Sequence, residues 1–209
     1  MTIQSMALIG TGVMGMGIAQ IAAQAGVEVR LFDAKAGAAE AGLAKLKVTL
    51  EKLQAKGKFT EQVLNETLAR FVVLDSIEQI AGVDLVVEAI IENLEIKQSL
   101  FKQIEAIVAP STILATNTSS LSVTAIASNL EHQGRMAGFH FFNPVHRMGL
   151  IEVITLDGTK PEVAAPALRF AQSLGKTPVL VKDSPGFIVN RILVPYLMES
   201  MKLSEMMSD

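Results

Sequence analysis

Two ionisable side chains, His140 and Glu152, lie inside segments that are otherwise apolar. His140 belongs to the run Gly138-Phe139-His140-Phe141-Phe142, and Glu152 belongs to Leu150-Ile151-Glu152-Val153-Ile154. Burying a carboxylate alone is costly, so Glu152 needs a partner, and His140 is a suitable one. In such a pair the imidazole takes a proton as general base while the carboxylate stabilises the imidazolium. The alternative that these residues leave open is a core histidine and an unrelated surface glutamate.

A glycine-rich segment near the start of the chain has the pattern of a phosphate-binding turn. It runs Gly10-Thr11-Gly12-Val13-Met14-Gly15, after an apolar run and before a segment rich in alanine and isoleucine. Gly10 allows the tight turn, Gly12 lets the backbone approach a pyrophosphate, and Gly15 lets helix and strand pack closely. The N-terminus of the predicted helix supplies unpaired N–H groups and partial positive charge for the phosphates.

An acidic residue, Asp33, ends the next predicted strand, 23 residues after Gly10. A carboxylate at this place accepts hydrogen bonds from the adenosine ribose hydroxyls and repels a 2′-phosphate. The sequence therefore predicts NAD as the cofactor, in preference to NADP. The alternative is a structural glycine turn beside an exposed acid.

A short polar segment, Asn117-Thr118-Ser119-Ser120, follows a predicted buried strand and precedes a short helix. Its hydroxyls can cap that helix. The same place is also the mouth of the sheet, where a nicotinamide and a substrate would lie. Both interpretations stay open at this point.

The elements that must position these residues alternate between strands and helices. The predicted strands cover residues 6–10, 27–32, 71–74, 85–87, 112–116, 136–142, 150–155 and 178–181. The predicted helices cover residues 13–25, 37–57, 60–70, 93–108, 122–128 and 161–174, with a last one from 185 to the end. Strand, turn, helix and strand in succession form parallel βαβ units. We therefore predict an α/β fold, a doubly wound Rossmann-type and mostly parallel sheet with an inserted helical hairpin and a C-terminal helix.

The composition excludes several classes of protein. The 209 residues include no cysteine, which rules out a disulfide framework, a cysteine-ligated metal and a cysteine nucleophile. Half of the residues are hydrophobic, which excludes disorder, and a net charge of −3 argues against nucleic-acid binding. Three scattered histidines lack the spacing of a metal site. No apolar run reaches membrane-spanning length and the N-terminus lacks a basic leader, so we expect a cytoplasmic protein without a membrane partner.

Six segments follow one another along the chain in a recognisable order. They are Ile9–Gly15, Glu88–Asn93, Asn117–Leu121, Gly138–Val145, Leu150–Ile154 and Asp183–Arg191. Together they resemble the 3-hydroxyacyl-CoA dehydrogenase family from end to end of the chain. The His-Phe-Phe-Asn-Pro and Pro-Gly-Phe-Ile-Val-Asn-Arg segments are the most specific of them.

The resemblance implies an activity and a set of site residues. The activity is reversible oxidation of a (3S)-3-hydroxyacyl-CoA to the 3-oxoacyl-CoA with NAD, in fatty-acid β-oxidation or short-chain acyl-CoA metabolism. His140 matches the catalytic base and Glu152 its partner, while Ser119 and Asn190 match contacts to the reacting oxygen or to the histidine. Besides the glycine loop and Asp33, the positions that match cofactor contacts are Ala89, Glu92, Lys97, Asn117, Ser119 and Asn143.

A lysine-rich stretch in the predicted hairpin then acquires a possible role. Between residues 45 and 58 the chain has five lysines against one acid, Glu51. In the resembling family this hairpin contributes to the coenzyme A site, and Thr49 and Lys56 are the positions expected to bind the CoA phosphates. A solvated helix face is the alternative.

The resemblance also implies a division into two domains. We expect a NAD-binding Rossmann domain over residues 1–184 and the start of a largely missing all-helical domain over 185–209. In the family that second domain forms the homodimer interface. The last predicted helix is apolar along its length, so we expect it to be covered by self-association or to be disordered.

Two other functions remain open from the sequence. One is a module that binds NAD and CoA with little turnover, because the missing domain shapes the cleft. The other is a Rossmann dehydrogenase for a free hydroxy acid, whose carboxylate Arg147 or Arg191 would bind.

Overall fold

The computed structural model describes residues 2–207 and contains one eight-stranded sheet. The strands are β1 (Ser5–Ile9), β2 (Glu28–Phe32), β3 (Phe71–Val73), β4 (Leu85–Glu88), β5 (Ile113–Thr116), β6 (Met136–Phe141), β7 (Leu150–Thr155) and β8 (Thr177–Lys182). Their order is β3-β2-β1-β4-β5-β6-β7-β8, and of the neighbouring pairs only β6 and β7 run antiparallel. The predicted doubly wound, mostly parallel sheet is confirmed.

Seven α-helices connect or follow these strands in the part of the chain that the structure describes. They are α1 (Val13–Gln24), α2 (Ala38–Ala55), α3 (Glu61–Leu68), α4 (Leu94–Ile107), α5 (Val123–Ala127), α6 (Pro161–Ser173) and α7 (Val189–Met206). Two 3₁₀ turns, Ile77–Ile80 and Gln133–Arg135, were not predicted, because one turn is too short to show a hydrophobic period.

Helices pack on both faces of the sheet, which explains the apolar character of its central strands. Residues of α1 and α6 pack on one face and residues of α4 and α5 on the other. All four residues of β4 and of β5 are buried, as expected for strands covered on two sides. The hairpin of α2 and α3 closes a smaller cluster around Leu46, Leu50 and Leu64.

The predicted start of the last helix, at Pro185, is wrong. Gly186 has a φ of 76° and Phe187 a φ of 50°, both in the left-handed region that a right-handed helix does not contain. The helix therefore begins only at Val189. Its predicted end falls at residues 208–209, which lie outside the described residues.

Helix α7 packs differently from the other helices, because none of its residues is buried. Ile192, Tyr196, Met201 and Met206 are each about two-thirds exposed or more. Self-association through this helix stays a prediction. Across residues 2–207 we find no helix that combines the length and the hydropathy needed to cross a membrane.

Strand β1 has β2 on one side and β4 on the other, so the strand order reverses direction at β1. Such a reversal leaves a crevice at the carboxyl edge of the sheet. Gly10 follows β1, Asp33 follows β2, Ala89 follows β4 and Asn117 follows β5. Four of the predicted site segments therefore meet at one edge.

Candidate active site

The glycine loop has the geometry that its sequence predicts. Gly10 has a φ of 97°, and a Cβ there would lie 2.7 Å from the carbonyl oxygen of Ala89. A Cβ on Gly15 would lie 1.9 Å from the carbonyl oxygen of Gly10, so no larger residue fits. Both glycines allow helix α1 and strands β1 and β4 to approach closely.

Gly12 faces open space and begins helix α1. A Cβ there would meet no atom within 4 Å, and no side chain accepts a hydrogen bond at this helix N-terminus. The first N–H groups of α1 are therefore available to an anion beside the loop. This open cradle fits the pyrophosphate of a dinucleotide.

Asp33 holds the glycine loop in place and keeps acceptor capacity. Its Oδ2 accepts from the N–H (2.7 Å) and the hydroxyl (2.8 Å) of Thr11, and its Oδ1 accepts from the N–H of Lys35 (3.0 Å). Burial raises the pKa of Asp33, but the Thr11 and Lys35 hydrogen bonds and the Lys35 charge outweigh it and leave the pKa below its usual range. The side chain stays half-buried and charged, as a ribose-binding carboxylate must be.

A cavity of about 640 Å³ opens beside the loop, between α1, α2 and the segment after β6. Lys35, Lys45, Thr49 and His146 line it, and no Asp or Glu within residues 2–207 contributes to its lining. Such a wall favours an anionic ligand. Of the two predicted CoA residues Thr49 lines this cavity, whereas Lys56 does not and instead caps the C-terminus of α2.

His140 and Glu152 form the expected pair. They are directly opposite each other in the antiparallel register of β6 and β7, and His140 Nδ1 lies 2.7 Å from Glu152 Oε2. The exposed fractions are 5% for His140 and 1% for Glu152, so the alternative of a surface glutamate is wrong. The other oxygen, Glu152 Oε1, accepts from the N–H groups of Ile188 (2.8 Å) and Val189 (2.9 Å) at the start of α7.

Two aromatic rings fix the imidazole from the sides. The ring centroid of His140 lies 4.4 Å from that of Phe142 and 5.5 Å from that of Phe187. Phe187 is almost fully buried and adopts the left-handed φ that turns the chain into α7. The histidine is therefore held by its partner carboxylate and by packing.

The segment after β5 joins the same edge. Asn117 Oδ1 accepts from the N–H of Phe141 (3.0 Å), and Asn190 Nδ2 donates to the carbonyl oxygen of Ser119 (3.1 Å). Ser119 and Asn143 are exposed. The structure thus brings Asn117, Ser119 and Asn190 to the edge that carries His140.

The predicted capping of α5 by residues 117–120 is not observed. The Thr118 hydroxyl instead accepts from the N–H of Leu121, before the helix, and Ser122 is the residue that caps α5 through Ala125 N–H (3.1 Å). Asp183 Oδ2 accepts from the Ser122 hydroxyl at 2.7 Å. The hydroxyls of residues 117–120 are therefore not needed for that cap.

Sequence reasoning missed a buried ionic network below this segment. Lys97 Nζ, 1% exposed, lies 2.5 Å from Glu88 Oε1 and 3.4 Å from Glu92 Oε2. Glu88, fully buried, also accepts from the N–H of Ile90 and from the hydroxyl of Thr116 (both 2.7 Å). A glutamate that ends the apolar run Leu85-Val86-Val87 was the available signal, since such a carboxylate needs a cationic partner.

Glu92 connects this network to the exposed segment. Its Oε1 accepts from the Thr118 hydroxyl, the Ser119 N–H (3.1 Å) and the Ser120 hydroxyl (3.2 Å). Burial raises the pKa of Glu92, but the Thr118 bond, Lys97 and the Ser119 bond outweigh it, so the pKa lies below its usual range. Lys97 therefore contacts Glu92 and Glu88 rather than presenting an open ammonium group to the cleft.

The remaining histidines, His132 and His146, line two different pockets. His132 borders a different surface pocket, and His146 lines the cavity beside the glycine loop. Within residues 2–207 no three His, Asp or Glu side chains are grouped so that they can hold a metal ion.

Comparison with known proteins gives consistent findings. The model of the NAD-binding domain of 3-hydroxyacyl-CoA dehydrogenase matches residues 5–184. A protein of Bacillus subtilis, named probable 3-hydroxybutyryl-CoA dehydrogenase, is 44% identical over 200 residues, which cover 96% of this chain and 70% of that protein. Human mitochondrial hydroxyacyl-coenzyme A dehydrogenase is 45% identical over 213 residues, 97% of this chain and 67% of that protein.

A solved structure extends the similarity to the fold. The crystal structure of 3-hydroxybutyryl-CoA dehydrogenase from Escherichia coli K12 superposes with a TM-score of 0.95 at 40% identity and covers 98% of this chain. This chain spans only 43% of that protein. The similarity therefore extends over nearly all of this chain, and over between 43% and 70% of these relatives.

Proposed function

This chain belongs to the 3-hydroxyacyl-CoA dehydrogenase family, and we propose that it oxidises (3S)-3-hydroxyacyl-CoA reversibly to 3-oxoacyl-CoA with NAD. The observation that carries the proposal is the buried contact of 2.7 Å between His140 Nδ1 and Glu152 Oε2, at the sheet edge where the glycine loop lies. This contact supports the assignment of His140 as a general base with an oriented ring, beside the loop that fits a dinucleotide.

The Glu152 contact supports Nε2 as the imidazole nitrogen that acts. A carboxylate only accepts, so Nδ1 carries the hydrogen and Nε2 keeps the free lone pair. Nε2 then takes the proton of the 3-hydroxyl group, and Glu152 stabilises the imidazolium that results. When bound, NAD supplies the acceptor for the hydride from C3. In the reverse direction the imidazolium returns the proton to the oxygen on C3.

The cofactor would be held by groups of three kinds. The glycine loop, residues Gly10 to Gly15, offers backbone N–H groups to the pyrophosphate, and Asp33 offers a carboxylate oxygen to the ribose. Ala89, Asn117 and Asn143 lie on the segments that border the nicotinamide side. Glu92 contributes directly, and Lys97 acts through Glu92 because its own ammonium is buried.

Ser119 and Asn190 would orient the reacting oxygen. Asn190 reaches Ser119 across the gap between α7 and the segment after β5, at 3.1 Å. Because Ser119 is exposed beside His140's strand end, its hydroxyl is available to a substrate oxygen. A substrate held there would keep its hydroxyl group within reach of Nε2.

Coenzyme A would lie along the hairpin. Thr49 and Lys45 line the cavity without carboxylates, and Lys56 lies further along the same helix, at its C-terminus. Lys45→Glu and Lys56→Glu separate these positions: the variant whose KM for acetoacetyl-CoA rises several-fold marks the phosphate site, while the Kd for NADH stays constant. If neither KM changes, the lysine face is only solvated.

The division at residue 184 and the homodimer are also proposals. Residues 185–209 would begin a helical domain, which is supported by the absence of any buried residue in α7 (Val189–Met206) and by the greater length of the relatives. If this chain follows the arrangement of the family, that helical domain covers the exposed side of α7 and completes the substrate cleft.

The test of the function is loss of NADH absorbance on addition of acetoacetyl-CoA, with His140→Gln as the control. We expect turnover in the wild type and a loss of about 10²–10⁴-fold in the variant. A folded wild type that binds NADH without turnover would leave only a binding module. Turnover with a free 3-oxo acid, but not with its CoA ester, would favour the dehydrogenase for free hydroxy acids.

A further inference from the structure

A lysine outside the site described above, Lys176, fixes the turn that follows the catalytic strand. Lys176 lies between the end of α6 and the start of β8, where its backbone N–H donates to Ala171. The next residue, Thr177, donates its N–H to the carbonyl oxygen of Gly149 at 2.7 Å. The backbone therefore brings Lys176 beside residues 143–149, the turn between β6 and β7.

The ammonium group of Lys176 binds two backbone carbonyls within this turn. Nζ donates to Val145 (2.5 Å) and to Met148 (2.7 Å). Within residues 2–207 no carboxylate lies at ion-pair distance from it, in contrast to Lys97. Burial lowers the pKa of Lys176 below its usual range. A half-buried ammonium group that donates to two backbone carbonyls restrains that stretch of backbone.

The turn in question is also seated on the helix that begins at the glycine loop. Val145 is buried, and a Cβ added to Gly17 of α1 would lie 2.9 Å from Val145 Cβ. The carbonyl of this same residue accepts from Lys176. Val145 therefore links two parts of the site. It packs on α1, the helix whose N-terminus would bind the pyrophosphate, and it belongs to the turn that follows β6, the strand of His140.

We propose that Lys176 is a positioning residue, which fixes the turn of residues 143–149 against α1 and so sets the distance between the cofactor cradle and the strand of His140. It acts through Val145 and Met148 and does not touch substrate. The proposal rests on the proposed function for the use of the site, but its own evidence is the geometry of the turn.

The test compares Lys176→Met with Lys182→Met at the other end of β8. The first change keeps most of the apolar stem and removes the donors, whereas Lys182 is exposed. We expect Lys176→Met to weaken NADH binding about tenfold, as measured by NADH fluorescence, because a flexible turn no longer holds α1 and β6 in register. Lys182→Met should change the Kd less than twofold. Lys176→Arg, which retains charge and donors, should restore most of the affinity.

A second measurement, amide hydrogen exchange, reports on the mobility of the turn of residues 143–149. The N–H groups of Arg147 and Met148 donate to the Pro144 carbonyl oxygen, so peptides over 143–149 should exchange amide hydrogens faster in Lys176→Met. Peptides over β1 should exchange as in the wild type. If Lys176→Met does not fold, Val145→Ala tests the other side of the turn, because it shortens the side chain that packs beside Gly17 of α1, and it should weaken NADH binding in the same direction.

The outcomes separate the two proposals. A lowered melting temperature with unchanged NADH affinity and unchanged exchange over 143–149 would overturn the positioning role and leave an ordinary stabilising contact. A wild type that binds NADH but does not reduce acetoacetyl-CoA would refute the proposed function, while the binding and exchange measurements would still decide the role of Lys176.

Discussion

Two buried glutamates, Glu152 and Glu88, lie at the carboxyl edge of the same sheet, and each contacts a nitrogen of another side chain. The two nitrogen partners differ in what they can still bind. In each pair, a glutamate from an apolar strand accepts from backbone N–H groups: Glu152 from Ile188 and Val189, and Glu88 from Ile90. The partner of Glu152 is a histidine with one nitrogen left over, whereas the partner of Glu88 is a lysine 1% exposed.

The difference shows how one structural device serves two purposes. An imidazole keeps a free lone pair when its other nitrogen is bound, so the pair with Glu152 can exchange a proton with a substrate. An ammonium between two carboxylates only donates hydrogen bonds and has no acceptor site, so the pair with Glu88 can only hold groups in place. We infer that the first pair belongs to the chemistry and the second to the positioning of residues 117–120.

The largest expected effect is on the pair of His140 and Glu152, which we propose for the chemistry. Glu152→Gln keeps the shape but removes the charge that stabilises the imidazolium, so kcat for acetoacetyl-CoA reduction should fall by about 10²–10⁴-fold. The Kd for NADH should stay within about twofold. Initial rates and fluorescence titration measure the two quantities, and a loss confined to NADH binding would contradict the assignment.

The pair with Glu88 should respond in stability more than in chemistry. Glu88→Gln leaves the buried Lys97 with Glu92 alone, so the free energy of unfolding should fall by about 3 kcal/mol. Urea denaturation measures this, with Glu95→Gln, an exposed residue at the start of α4, as the control. If Glu88→Gln lowers kcat as far as Glu152→Gln does, while its free energy of unfolding is unchanged, the pair with Glu88 has a chemical role and the inference is wrong.

Asp33 is a third carboxylate at this edge, and it differs from Glu152 and Glu88 because it is half-buried and accepts from Thr11 and from the backbone N–H of Lys35. Asp33→Asn removes the charge that repels a 2′-phosphate and weakens the acceptor for the ribose. NADH should bind about tenfold more weakly, roughly 1.4 kcal/mol, and the preference for NADH over NADPH should narrow. Parallel titrations with the two cofactors measure it. An unchanged preference would mean that Asp33 serves only to hold Thr11.

The smallest effect concerns the partly exposed end of the Lys97 network. The pKa of Glu92 lies below its usual range in the folded chain, so its stabilising contribution is present above the ordinary value of 4.5 and is lost as the pH falls through the folded value. Glu92→Gln should therefore flatten the fall in stability on acidification below pH 4.5. Urea midpoints taken between pH 3 and pH 6 would show it. Parallel curves for variant and wild type would contradict the shift.

Much of the fold was predictable because its signals are local. Gly10, Gly12 and Gly15 lie within one turn, and the strands are short apolar runs between helices, so periodicity and turn chemistry suffice. The start of α7 was not predictable, because the left-handed φ of Phe187 depends on its packing beside His140. A helical pattern of side chains does not reveal such a turn.

The site divides in the same way. The types of residue and their order along the chain were enough to select Asp33, His140 and Glu152, since each stands out against its neighbours. Glu88 was not among the expected site residues although it ends an apolar run, and Lys97 was expected at the cofactor. Their pairing was not predictable, because Lys97 lies on the next helix and the sequence does not show which carboxylate it faces. The choice of Lys56 as a CoA residue rests on the family resemblance and stays a prediction. That Lys45 lines the cavity was not predictable, because sequence order does not reveal which lysine of a helix faces a cavity.

The sequence by itself determined the family, the βαβ order and the dinucleotide loop, because these depend on residues close together in the chain. Tertiary structure alone decided which residues became partners. The antiparallel register of β6 and β7 places His140 opposite Glu152. The start of α7 supplies the donors for the second oxygen of Glu152. The end of β4 supplies Glu88, the carboxylate that pairs with the buried Lys97. Each of these depends on how segments distant in sequence pack, and burial then makes an unpaired charge too costly to keep.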